Sequence, residues 1–188
     1  VHSNKIQIIK NLNEDVSNIE ADALITNIPN IILGVLTADC APVLIQDSSK
    51  KIIAAIHVGW KGAMNNILAK TVETIIDLGS DIQNIKLAIG PCIGPKSYEV
   101  GNDFYIKFTK NNNVNKKFFQ KTKQDKFKFD LPKYIYHQAI NLGLKINKIS
   151  NINKDTFLEK NKFFSFRRNF KSNLNDCGRM ISTISMKF

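Results

Sequence analysis

Short apolar runs broken by turn formers dominate the first third of the chain. D-A-L-I-T at 22 to 26 and I-I-L-G-V-L-T at 31 to 37 flank Asn27-Ile28-Pro29-Asn30, so the pattern predicts strand, loop, strand. P-V-L-I-Q at 42 to 46 and K-I-I-A-A-I-H-V at 51 to 58 flank the polar D-S-S-K, which predicts a hairpin. The second of these runs is apolar at consecutive positions, as in a strand covered on both faces. After Gly59-Trp60-Lys61-Gly62 the period changes. Met64, Leu68, Val72 and Ile75 recur at helical spacing until Gly79, predicting one helix of about four turns. N-I-K-L-A-I-G returns to a strand and P-C-I-G-P follows as an ordered loop. Helices are predicted over 102 to 110 and 132 to 143, the latter opening at Pro132 and closing at Gly143, with strands over 145 to 150 and 179 to 185. The Lys- and Asn-rich stretch 109 to 128 reads as a surface excursion. Strands alternating with helices define an α/β domain, and the hairpin makes its sheet mixed.

Composition narrows this picture. A length of 188 residues, 43% hydrophobic and 23% charged, suits one compact domain with a real core. No run approaches the roughly 20 apolar residues of a membrane span, so no membrane partner is expected. The first residues lack the charged and apolar regions of a signal peptide. Cys40, Cys92 and Cys177 are too few, and odd in number, for a disulfide framework, so a reducing cytoplasmic location is expected. The formal charge of +11 raises nucleic-acid binding, but the lysines are spread along the chain without a zinc finger, RNP-type motif or basic helix. No nucleic-acid partner is expected, and the chain is read as a monomer or homodimer. One detail of the charge is informative: of 27 basic residues only three are arginines, and Arg167, Arg168 and Arg179 all lie near the C-terminus. A planar guanidinium grips phosphate or carboxylate with two prongs where Lys offers a point charge.

The candidate chemistry sits in L-T-A-D-C-A-P-V, where Asp39, Cys40 and Pro42 interrupt two apolar runs. His57 ends the most apolar strand, and Gly59 and Gly62 beyond it let backbone approach a ligand. A thiol and an imidazole at one sheet edge permit two chemistries. Cys40 is a nucleophile activated by His57, or the two are ligands of zinc or copper. A metal needs a further ligand, and the other histidines are His2, before a strand-like run, and His137, inside a predicted helix where packing is the simpler role. A His, Cys, His set leaves a fourth position open, the catalytic pattern for zinc, where a water pKa falls from 15.7 toward about 7.

V-H-S-N, T-N-I-P, L-T-A-D-C-A-P-V-L-I-Q-D, I-A-A-I-H-V-G-W-K-G, I-G-P-C-I-G-P-K-S-Y-E-V, F-F-S-F-R-R and C-G-R-M, in this order, resemble the YfiH family, also called laccase-domain or multicopper polyphenol oxidase proteins. The resemblance covers nearly the whole chain, and the T-A-D-C-x-P-V and H-x-G-W-[RK]-G pair is specific. It implies a single domain over 1 to 188, a three-layer α/β/α sandwich with a mixed sheet, and a metal site of His2, Cys40 and His57, with Cys40 and His57 catalytic. It implies a zinc-dependent purine nucleoside phosphorylase, a transferase that takes adenosine, inosine, guanosine and methylthioadenosine with inorganic phosphate. A hydrolase activity, deamination of adenosine, comes second. The zinc deaminase pattern H-x-E with P-C-x-x-C is absent, since Cys92 has no cysteine three residues on, so deamination would use another geometry. An alternative reading of the family is a copper-dependent polyphenol oxidase, but multicopper chemistry needs many histidines and the chain has 3.

On this reading Arg167, Arg168 and Lys61 are the candidates to hold phosphate, and Asn27 and Tyr98 lie on loops near the pocket. The sequence also departs from the family. Lys61 stands where Arg is common, N-I-N-K-D-T-F replaces a Cys-Thr segment, and K-S-N-L-N-D separates Arg168 from C-G-R. The family carries some tens of residues before V-H-x-x, so an N-terminal segment is expected to be missing. A metal-independent cysteine hydrolase and an inactive remnant are the remaining alternatives.

Overall fold

A computed structural model describes residues 4 to 13, 15 to 110, 112 to 174 and 177 to 186. Its centre is a mixed six-stranded sheet in the order β1 (Ile6–Ile9), β2 (Ala23–Thr26), β5 (Ile52–Val58), β4 (Ala41–Asp47), β6 (Lys86–Ile89) and β10 (Ile149–Asn151). The β1–β2 and β6–β10 pairs are parallel and the other three antiparallel. The predicted hairpin is present: β4 and β5 pair from Ala41 opposite Val58 to Asp47 opposite Ile52. Buried Asp47 closes the turn by accepting from the amides of Ser49 and Lys50 and from the Ser49 and Ser80 hydroxyls.

Alternation along the central strands sorts side chains to two faces. Ala23, Ile25, Val43, Ile45, Ala54 and Ile56 pack with Ile67, Leu68, Val72 and Ile135 of helices α2 (Ile67–Asp77) and α4 (Leu131–Asn141). Ile53 and Ala55, with Leu24 and Leu44, turn to the other face, against Leu33, Val35 and Ile184. Those come from an antiparallel ribbon of β3 (Ile32–Thr37) and β11 (Met180–Ser185). The fold is therefore α/β and layered, with the ribbon forming the layer over the second face. Each fully buried Ile or Leu contributes roughly 1.5–3 kcal/mol relative to exposure, so this double-sided interior is the main source of stability.

Three local expectations change. The four-turn helix divides into α1 (Trp60–Met64) and α2, because Asn66 sits in the left-handed region at φ 58. Asparagine tolerates that conformation, and Gln138 Nε2 caps the break by donating to Ala63 O and Asn66 Oδ1. The stretch read as a surface excursion is ordered by its aromatics. A 3-10 turn (Asn113–Phe118) leads into a hairpin of β8 (Phe119–Lys123) and β9 (Lys126–Phe129), which pairs with β7 (Glu99–Gly101). Alternation in K-F-K-F buries Phe127 and Phe129 beside Phe108 and Phe118, with Phe104 of α3 (Asn102–Thr109) packed against them. Residues 146 to 148 form a 3-10 turn, so β10 begins at Ile149.

Candidate metal and anion cleft

The β4–β5 register places the thiol and the imidazole at the same end of the sheet. Pro42 stands opposite His57 and Ala41 opposite Val58, so Cys40 lies one residue beyond the ladder at the edge where His57 sits. Residues 53, 55 and 57 point to the ribbon side of β5, and Leu24 and Asp22 point to the same side of the neighbouring strand. There a cleft of about 1050 Å³ opens between sheet and ribbon. Part of its lining is apolar, with Ile9, Leu12, Leu33 and Val35. The lining also includes Asp22, Asp39, Cys40, His57, Trp60, Tyr98, Phe166, Arg167 and Arg179.

Asp22 was not singled out in the sequence, where it reads only as the start of a strand. Its Oδ1 lies 3.0 Å from His57 Nδ1, and its carbonyl accepts the His57 amide at 2.7 Å. A carboxylate only accepts, so the Nδ1 proton points to Asp22 and the basic nitrogen of the ring is Nε2. A carboxylate on the far nitrogen is the usual way a metal-binding histidine is oriented. Asp22 is itself held by its amide, which donates to Lys5 O at 3.0 Å and so anchors the start of β1 beside this pair.

Burial, then the neighbouring Asp39 and Asp22 charges, push the Cys40 thiol up to about 12. Unaided, it is a neutral thiol at pH 7, and a bound cation is what would ionise it. A thiol sulfur and a carboxylate-oriented imidazole lining one cleft fit a zinc- or copper-type ion as two of its ligands. Among the described residues no group of three ligand-type side chains converges. His2, the third ligand implied by the family resemblance, lies outside the described residues. His137 is remote, on α4, where its ring nitrogens lie 2.6 Å from Lys117 Nζ and 3.2 Å from Asn141 Nδ2.

The two adjacent arginines point to different places. Arg167 lines the cleft, with its guanidinium carbon 5.4 Å from the Tyr98 ring centroid and Nη1 donating to Glu99 O at 2.6 Å. Arg168 instead turns into its own loop, donating to Thr156 O, Phe157 O and Phe163 O at 2.7, 2.9 and 2.6 Å. Arg179 lines the cleft beside Cys40 and donates to Cys177 O. Tyr98 is a wall residue whose phenol is pushed up by burial. Lys61, exposed on α1 with its amine 5.6 Å from the Trp60 ring, and Asn27, exposed after β2, are outside the cleft lining. Among the described residues, the cationic side chains lining the cleft are thus Arg167 and Arg179.

An α/β fold with a cysteine–histidine pair in a cationic cleft defines the class, and comparison with known proteins gives the family. Residues 1 to 187 match the family described as multi-copper polyphenol oxidoreductase laccase. The chain is 36% identical over its whole length to a Rickettsia prowazekii protein called purine nucleoside phosphorylase, and covers 76% of it. It is 32% identical to purine nucleoside phosphorylase YfiH of Escherichia coli, across 94% of this chain and 68% of that one. The crystal structure of Bacillus licheniformis hypothetical protein YfiH superimposes with a TM-score of 0.89 at 28% identity, covering 100% of this chain and 72% of that one. The chain therefore belongs to the laccase-like YfiH family, whose curated relatives are named as purine nucleoside phosphorylases. Among the described residues no helix is long and apolar enough to cross a membrane.

Proposed function

We propose that this chain is a metal-assisted purine nucleoside phosphorylase acting on adenosine, inosine, guanosine and methylthioadenosine. The observation that carries the reading is a single cleft joining the Cys40 and His57–Asp22 cluster to Arg167 and Arg179. Phosphorolysis breaks the bond from the base nitrogen to C1′ and forms one from a phosphate oxygen to C1′, through a sugar with cation-like character. Phosphate must be held against C1′, and two guanidinium groups in a partly buried cleft supply that hold by charge-assisted hydrogen bonds. Arg167 is preset for it by Glu99 O and the Tyr98 ring. Trp60 and Phe166 line the same cleft and bring aromatic rings to it for contact with a purine. Cys40 and His57, with His2, would hold a zinc ion, which would supply the Lewis acidity for hydrolytic deamination of adenosine, the second activity. Asp22 fixes the His57 ring for that purpose.

A metal-free cysteine hydrolase is the weaker reading, because a thiol pushed up to about 12 is not a ready nucleophile at neutral pH. Incubation with adenosine and phosphate is expected to release adenine and ribose 1-phosphate. Absence of phosphate-dependent turnover would overturn the phosphorylase reading, and activity untouched by chelators with metal-free protein would favour the hydrolase.

A further inference from the structure

We propose that Asp39 is a positioning residue that sets Arg167 in the cleft and ties it to the backbone carrying Cys40. Its carboxylate is buried and accepts from Thr156 Oγ1 at 2.7 Å, Ser165 Oγ at 3.0 Å and the Arg167 amide at 2.6 Å. Its own carbonyl accepts the Ile93 amide at 2.9 Å, joining the loop that leads to Tyr98. Ser165 is the N-cap of helix α5 (Phe166–Lys171), accepting from the Arg168 amide, so Asp39 holds the start of the helix that bears Arg167.

Arg167 is consequently fixed at both ends. Asp39 takes its amide, while Glu99 O and the Tyr98 ring take its guanidinium. Both carboxylate oxygens of Asp39 already accept within the protein, Oδ1 from Thr156 and Oδ2 from Ser165 and Arg167, which makes it a poor candidate for a substrate proton acceptor. The backbone agrees with a special role. Asp39 has φ 86, a region non-glycine residues rarely occupy and one that persists where surrounding contacts over-determine it. Hydrophobic packing holds a loop without aiming it; a buried carboxylate with several donors specifies direction.

The inference rests on the phosphorylase reading, and steady-state kinetics separates the two. Asp39→Asn keeps the shape but replaces one acceptor oxygen with a donor facing donors. It is expected to raise KM for phosphate about tenfold, with KM for adenosine and metal content within about twofold. In an Arg167→Ala background the same substitution should leave KM for phosphate unchanged, since Asp39 acts through Arg167. A structural role alone would instead shift both KM values together, and that outcome overturns the proposal, as does an unchanged KM for phosphate. If Asp39→Asn does not fold, Thr156→Val removes one donor conservatively and should raise KM for phosphate by about threefold; no change there overturns the proposal equally. Wild-type protein without phosphate-dependent turnover defeats the phosphorylase reading and this inference with it, whereas turnover with no selective effect defeats the inference alone.

Discussion

Two long excursions leave the sheet, and opposite chemistry holds each. Residues 99 to 129 are gathered by aromatic rings: Phe104 and Phe108 stack at 4.9 Å, Phe119 and Phe129 at 4.7 Å, and Phe129 is fully buried. Residues 152 to 168 are gathered by polar bonds, to the Asp39 carboxylate from one side and from the Arg168 guanidinium on the other. Ring packing is strong but less directional than hydrogen bonding, so the rings contribute mainly stability, and what this excursion gives Arg167 is a backbone acceptor, Glu99 O. Hydrogen bonds are individually modest but fix orientation, and the excursion built from them is the one that delivers Arg167.

Breaking each excursion should therefore fail in a different way. The largest loss of stability is expected from Phe129→Ala, about 3–5 kcal/mol, read as a lower denaturant midpoint; a loss below about 1 kcal/mol would mean that the aromatic cluster does not hold the hairpin. Arg168→Ala should cost less, roughly 1–3 kcal/mol, and Arg168→Lys should restore little of it because an ammonium cannot serve the spread of three carbonyls that the fork reaches. A phosphate-binding Arg168 would behave otherwise: the lysine variant would keep full stability and raise KM for phosphate, and that result would dissolve the contrast between the neighbours. The smallest effect is expected at Thr37, whose hydroxyl is buried without a hydrogen-bond partner among the described residues. Thr37→Val should be neutral or stabilise by up to about 1 kcal/mol, measured by thermal unfolding, and a clear destabilisation would show that the hydroxyl has a partner in solution.

Much of this was legible in the chain. Short apolar runs broken by turn formers marked β2 to β5, and the interruption at Asp39-Cys40-Ala41-Pro42 marked the sheet edge that Cys40 shares with His57. Adjacent arginines were not separable in sequence, because successive helical residues differ by about 100° in direction and only the packed loop decides which one faces the cleft. Asp22 was hidden because it reads only as the first residue of a strand run, and its role depends on a partner 35 positions away. The hairpin after residue 118 was obscured by its lysines, although the K-F-K-F alternation was the signal that it packs. The split of α1 from α2 depended on one asparagine adopting a left-handed conformation, which spacing does not reveal.

The most direct test of the account compares Cys40→Ala with the wild type for zinc content and phosphate-dependent adenosine turnover in the same preparation. Both are expected to fall together while the fold persists by circular dichroism. Full turnover in a variant that has lost its metal, or full metal content in the absence of Cys40, would contradict it.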